Sequence, residues 1–177
     1  MERMTRMAET LETPPGRMRI ILGKNTSTII DDSYNSSPVA AVAALETLRT
    51  VNGKRKIALL GDMLELGEFS EEEHRAIGRI VGSFADILVL VGARAEKWIA
   101  AGAHEAGLAN EKIKICSDSV AAGGWMAERV EAGDVILAKG SQGSGLNMIR
   151  MERAVKLLMA HPEDAERLLV RQEDDWL

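Results

Sequence analysis

The chain is poor in the parts that several chemistries require. Its single cysteine, Cys116, excludes an internal disulfide and a cysteine-based zinc site, and fits a reducing compartment. Aromatic residues are only 3% of the total, with one Tyr, two Phe and three Trp, too few for a platform that stacks single-stranded bases. Cations are outnumbered: 22 Lys plus Arg against 27 Asp plus Glu leaves a net charge of −5, which argues against nucleic acid as the main partner. No run approaches the ~20 apolar residues of a membrane span, and Met1 to Met7 carries charges with no apolar signal core behind it. The expectation is a cytoplasmic protein, taken as monomeric, without a nucleic-acid or membrane partner.

Several motifs are also missing. No complete phosphate loop is present: Gly23-Lys24 is followed by Asn25 and has Met18 where the first glycine belongs, and Gly53-Lys54 has Leu48 there. No dinucleotide fingerprint is present, since Gly143-Ser144-Gly145 continues as Leu146-Asn147-Met148. His74, His104 and His161 fall on separate predicted helices without the spacing of metal ligands, and no nucleophile elbow occurs.

What remains is a strong βα alternation in 177 residues, a length that fits one domain at ~100–200 residues per domain. Four apolar runs, Lys56 to Leu60, Asp86 to Val91, Ile113 to Cys116 and Asp134 to Ala138, are each trailed by a helical pattern: about Glu71 to Phe84, Arg94 to Ala106, Val120 to Glu131 and Met148 to Ala160. Strands that stay apolar without alternation belong to a parallel sheet covered on both faces. Upstream, Arg19 to Leu22 and Thr26 to Ile30 flank the turn Gly23-Lys24-Asn25, and a helix follows from Pro38 to about Val51, with Ser37 as its cap. Ser70 and Glu73 read as a capping box for the next helix. The pattern predicts an α/β, Rossmann-like doubly wound, mostly parallel sheet of about six strands with an N-terminal β-hairpin. Thr13-Pro14-Pro15-Gly16 reads as a rigid connector, so residues 1–14 are expected to be a remnant of a preceding domain or a linker. The domain then runs over 15–177, with a charged helical tail from about residue 162.

In an open parallel sheet, ligands bind beyond the carboxyl ends of the strands. Three such ends carry polar or glycine-rich residues: Asp31 to Pro38, Gly61 to Glu68, and Lys139 to Gly145. Taken singly each is ordinary turn composition, and coincidence at three ends of one edge is what weakens that reading. Tyr34, the only tyrosine, reads equally as a buried ring or as one wall of a nucleotide site.

Pro15-Gly16-Arg17-Met18, then Ile29-Ile30-Asp31-Asp32-Ser33-Tyr34-Asn35 with Pro38, then Leu60-Gly61-Asp62-Met63-Leu64-Glu65-Leu66-Gly67-Glu68 with His74, and Lys139-Gly140-Ser141, together resemble the C-terminal domain of the Mur ligases. Within that family the second long string is similar to the branch that adds D-Ala-D-Ala to UDP-N-acetylmuramoyl-tripeptide in peptidoglycan synthesis. The resemblance implies a larger ATP-dependent amide ligase whose other domains supply the phosphate loop, the Mg²⁺ ligands and the sugar-peptide site. The third domain closes over ATP and brings the amine, which attacks an acyl phosphate; this chain alone is expected to be inactive. By position, the resemblance assigns Arg17, Asp32, Tyr34 and Asn35 to ATP, with Asp31 structural, and assigns Asp62, Glu65, Lys139, Gly140 and Ser141 to the dipeptide. Two departures stand out: Ser36-Ser37 replaces the usual Ala-Asn before Pro38, and the stretch after Ser141 is longer than the common form. The competing expectations are a free-standing, non-catalytic nucleotide-binding or interaction module of the same fold, and a Mur-like ligase with another amine substrate.

Overall fold

The computed structural model describes residues 13–142 and 149–173; the expected helix start at Met148, the Gly143-to-Asn147 stretch and residues 1–12 lie outside them. A short hairpin opens the domain: β1 (Arg19–Leu22) runs antiparallel to β2 (Thr28–Asp32), with Ile20 opposite Ile30. The chain then alternates as expected, through α1 (Pro38–Thr50), β3 (Lys56–Gly61), α2 (Ser70–Gly82), β4 (Ile87–Val91), α3 (Ala100–Glu105), β5 (Ile113–Cys116), α4 (Ser119–Ala127), β6 (Val135–Lys139), α5 (Met151–Leu158) and α6 (Ala165–Leu168). The strands form one sheet in the order β1-β2-β6-β3-β4-β5, parallel everywhere except at the hairpin.

The unbroken apolar runs are explained by two cores, because alternate strand residues point to opposite faces. Ile29, Ile57, Leu59 and Ile136 meet α4 and α5 through Met126, Ala154 and Leu158. Ile30, Ala58, Leu88 and Leu137 meet α1, α2 and α3 through Leu45, Leu48, Ile77, Val81 and Ala103.

Helix ends follow local chemistry. Ser37 caps α1 by accepting the Ala40 N–H at 3.4 Å, with Pro38 at the first position where no N–H is needed. Asp118 does the same for α4 at 2.8 Å from the Ala121 nitrogen. The capping box at Ser70 does not form: a 3₁₀ turn over Gly67–Phe69 runs directly into α2, so Ser70 is already helical and buried, its hydroxyl 3.5 Å from Nδ1 of His74. α3 is entered through a π-helical segment, Ala95–Ile99. Among the described residues, the segment from Pro162 is helical as far as Leu168, and its Ala165 and Leu169 enter the core instead of lying in solvent.

α2 and α3 approach closely enough that glycine is required at the contact. A Cβ on Gly82 would stand 2.7 Å from the Ala103 Cα, and one on Gly102 would overlap the Arg75 carbonyl oxygen. Gly102→Ala is expected to cost about 1–3 kcal/mol, because backbone rather than a flexible side chain must move. A urea midpoint identical to that of the parent chain would show that the two helices separate freely.

Candidate functional site

The last strand, β6, returns to the middle of the sheet between β2 and β3, so the carboxyl ends of these three strands lie side by side. This is the reversal point at which open α/β sheets bind ligands. Register places Asp32 beside Lys139 and Lys139 beside Leu60, so charge is set into the sheet at its open end. Lys139 is 2% exposed, and its Nζ donates to Asp32 Oδ2 at 2.6 Å and to the Asn35 carbonyl at 3.0 Å. Asp32 Oδ1 accepts the Met18 N–H at 3.2 Å. The neighbouring Asp31 is fully buried and accepts the N–H groups of Gly16 and Ser33 at 3.1 and 3.2 Å. Burial pushes its carboxyl up to about 6, against the Ser33 and Gly16 hydrogen bonds, which pull it down.

Gly16, at φ +68, lies so near the Tyr34 backbone that a Cβ would meet the Tyr34 nitrogen at 3.0 Å, and its carbonyl accepts that N–H at 3.0 Å. The connector is thereby pinned to the strand end, and the Arg17 guanidinium stacks 4.3 Å above the centre of the Tyr34 ring.

The loop after β3 is hung on three side chains. Asp62 turns away from the strand ends and accepts the Ala95 N–H at 2.7 Å and Arg94 at 3.3 Å, serving the start of the π segment. Nε2 of His74 accepts the Met63 N–H at 2.9 Å, while its Nδ1 faces the Ser70 carbonyl at 2.6 Å. This pairing needs the neutral ring with its proton on Nδ1, and burial holds the imidazole below its ordinary range despite the Ser70 carbonyl. Ser141 Oγ accepts the Leu64 N–H at 3.1 Å and donates to the Ser36 carbonyl at 3.1 Å, tying all three strand-end loops together. Glu65, held between these anchors at φ +64, is exposed.

Between the loops lies a cleft of about 600 Å³, walled by Tyr34, Asn35 and Ser37 on one side, Leu64 to Leu66 on another, and Ser141 and Gln142 at the floor. Of the expected site residues, Tyr34, Asn35, Glu65 and Ser141 line it. Arg17 flanks it through Tyr34, and Asp32 with Lys139 forms a buried strut behind it. Asp62 is engaged elsewhere, and Gly140 is packed so that a Cβ would meet Met151 Cγ at 3.0 Å and Gly61 Cα at 3.1 Å. Sequence reading missed the contributions of His74, Gln142 and the two leucines. The His74 signal was its place in the long motif string. Among the described residues no histidine, cysteine or lysine lines this cleft. The arrangement suits binding and positioning, with a carboxylate for a ligand ammonium and a cation-backed aromatic ring for a flat one. Among the described residues no group of three His, Cys, Asp or Glu side chains could hold a metal ion.

Comparison with known proteins agrees with this geometry. The family model described as "Mur ligase, glutamate ligase domain" matches residues 16–142. The UDP-N-acetylmuramoyl-tripeptide–D-alanyl-D-alanine ligase of Bacillus subtilis is 29% identical over 147 residues, covering 82% of this chain and 31% of that protein. The Synechocystis enzyme of the same name is 30% identical over 142 residues, covering 79% of this chain and 30% of its own. The MurF ligase of Thermotoga maritima, solved in complex with ADP, is 31% identical and superposes with a TM-score of 0.67 over 89% of this chain and 33% of that one. The chain thus spans about a third of the length of the relatives it matches. With its sheet order, its strand-end cleft and its motif strings all in place, the chain belongs to the Mur ligase family, as the C-terminal, glutamate ligase domain of a MurF-like ligase.

Proposed function

We propose that this domain closes over ATP and presents the amine in an ATP-dependent ligase that adds D-Ala-D-Ala to UDP-N-acetylmuramoyl-tripeptide. The carrying observation is the convergence of three motif-bearing loops on one cleft through Ser141 and Lys139. In this reading the tripeptide carboxylate takes the γ-phosphoryl group of ATP, and ADP leaves. The dipeptide amine then attacks the acyl phosphate, forming the amide and releasing phosphate and a proton. The domain contributes orientation and electrostatics to both steps, which is where most of the catalysis of such a reaction lies.

Arg17 and Tyr34 face the nucleotide, with Asn35 beside them. Guanidinium suits phosphate because it binds in a planar, two-pronged way and stays charged. Glu65 offers an acceptor for the dipeptide ammonium, and Ser141 orders the loop that carries it. The residues described do not make a Mg²⁺ site, and in this reading the ligands of that ion belong to the other domains. No helix among the described residues is long and apolar enough to cross a membrane.

The deciding experiment mixes this chain with the separately produced N-terminal and central domains of a relative and follows phosphate release from ATP with the UDP-sugar tripeptide. Release that requires both this chain and D-Ala-D-Ala is the expected result. Release with a different amine would change the substrate and leave the fold and mechanism standing. Release that does not need this chain would sink the reading.

A further inference from the structure

We propose that Arg171, on the C-terminal segment Leu169–Gln172, is a positioning residue that fixes Tyr34 and Gln142 against the cleft. The proposal rests on the reading of Tyr34 as the nucleotide-facing ring. Beyond α6 the chain crosses back beneath the loop that follows β2. Leu169 is buried there, and Val170 Cγ1 lies where a Cβ on Gly16 would meet it at 3.2 Å. Arg171 takes a left-handed backbone conformation (φ +56) that a non-glycine residue holds only when its surroundings over-determine it.

Its side chain supplies that constraint. Nη2 donates to the Tyr34 carbonyl at 2.6 Å and to Gln142 Oε1 at 3.1 Å, while Nη1 donates to Glu152 Oε2 at 3.2 Å. The guanidinium carbon stands 5.4 Å from the centre of the Tyr34 ring. Arg17 and Arg171 therefore both approach the one tyrosine, the first from the connector and the second from the C-terminal segment. Glu152, fully buried at the start of α5, sets the fork itself: its Oε1 accepts Arg150 Nε at 2.9 Å and its Oε2 accepts Arg171. Arg150 Nη2 in turn donates to the Arg171 carbonyl at 3.1 Å. Two loops of the cleft, after β2 and after β6, are thus joined through a residue more than twenty positions beyond either. A lysine cannot replace it, because one ammonium on a flexible stem does not span three acceptors held by three separate elements.

Tyr34 is the only tyrosine, so the chain grown with 3-fluorotyrosine gives one fluorine resonance that reports on this ring alone. The folded parent chain is expected to show that resonance displaced from its position in urea. In Arg171→Gln and Arg171→Lys the displacement should be largely lost while cooperative urea unfolding persists. Arg171→Gln leaves Glu152 paired with Arg150 at 2.9 Å and so serves as the variant less prone to unfold. A merely structural role would lower the unfolding midpoint and leave the Tyr34 resonance in place, which would overturn the proposal. Titration of the parent chain with millimolar ATP separates the underlying reading: a resonance that ignores ATP yet moves with Arg171 fails the nucleotide assignment alone. One that responds to ATP yet ignores Arg171 fails the positioning role alone.

Discussion

Asp32→Ala is expected to lower the stability of the domain by roughly 3–5 kcal/mol, the cost of leaving a buried cation without its partner. The reason lies at the other end of the pair. Lys139 is 2% exposed and holds Asp32 at 2.6 Å, so removing the carboxylate strands an ammonium whose remaining contact is the Asn35 carbonyl. From sequence alone Asp32 reads as a crevice carboxylate with few core contacts, which would make the same substitution nearly silent for folding. Chemical denaturation decides between them. Adding Lys139→Met to Asp32→Ala removes the stranded charge while keeping the stem volume, and should return most of the loss. A cost below ~1 kcal/mol for Asp32→Ala would mean that the pair behaves as an exposed one. The same two variants separate structure from chemistry in a reassembled enzyme. A defect in ATP use that disappears in the double variant belongs to the strut, whereas one that persists puts the carboxylate on the ribose.

The strut also shows which level of structure a linear reading reaches. The sheet, its hairpin and the strand-end loops were legible because they depend on local periodicity: four unbroken apolar runs each trailed by a helix admit few other arrangements. The family strings pointed to the cleft for a similar reason, since each is contiguous and lies at a strand end. Side-chain direction was not legible. Asp62 stands in the middle of the most specific string, yet its carboxylate serves Ala95 and Arg94, thirty-odd residues on, because β4 ends beside β3. Ser70 carries the spacing of a capping box, but the preceding 3₁₀ turn had already begun the helix, so tertiary placement against His74 replaced the cap. Arg171 was least visible of all. It sits in a charged segment whose composition suits a solvated tail, and only the return of Leu169 to the core brings its guanidinium under Tyr34.

A second large effect is expected in the pH dependence of stability, and it centres on Asp31. The carboxyl titrates at about 6 in the folded chain against an ordinary 3.8, because full burial outweighs the hydrogen bonds from Ser33 and Gly16, and the buried Glu152 nearby opposes a second negative charge. For a carboxyl whose folded value is raised, the protonated form favours the fold. Its contribution is complete below the unfolded value and is lost as pH rises through the folded one. Folding should therefore forfeit roughly 3 kcal/mol at this position between about pH 4 and about pH 7. His74 works in the opposite direction: its folded value is lowered, so its contribution is present above the ordinary 6.5 and is lost as pH falls. The two partly cancel, and the parent chain alone would show a shallow curve that hides both. Asp31→Asn resolves them, since the amide stays neutral throughout and His74 is common to both proteins. The difference in unfolding free energy between Asp31→Asn and the parent should move in favour of the asparagine by that same ~3 kcal/mol as pH rises across the window, whatever fixed cost the lost oxygen acceptor adds. A difference that stays flat would mean that Asp31 ionises in the fold as easily as in solvent, and that the Gly16 and Ser33 N–H groups fully offset burial at the strand end.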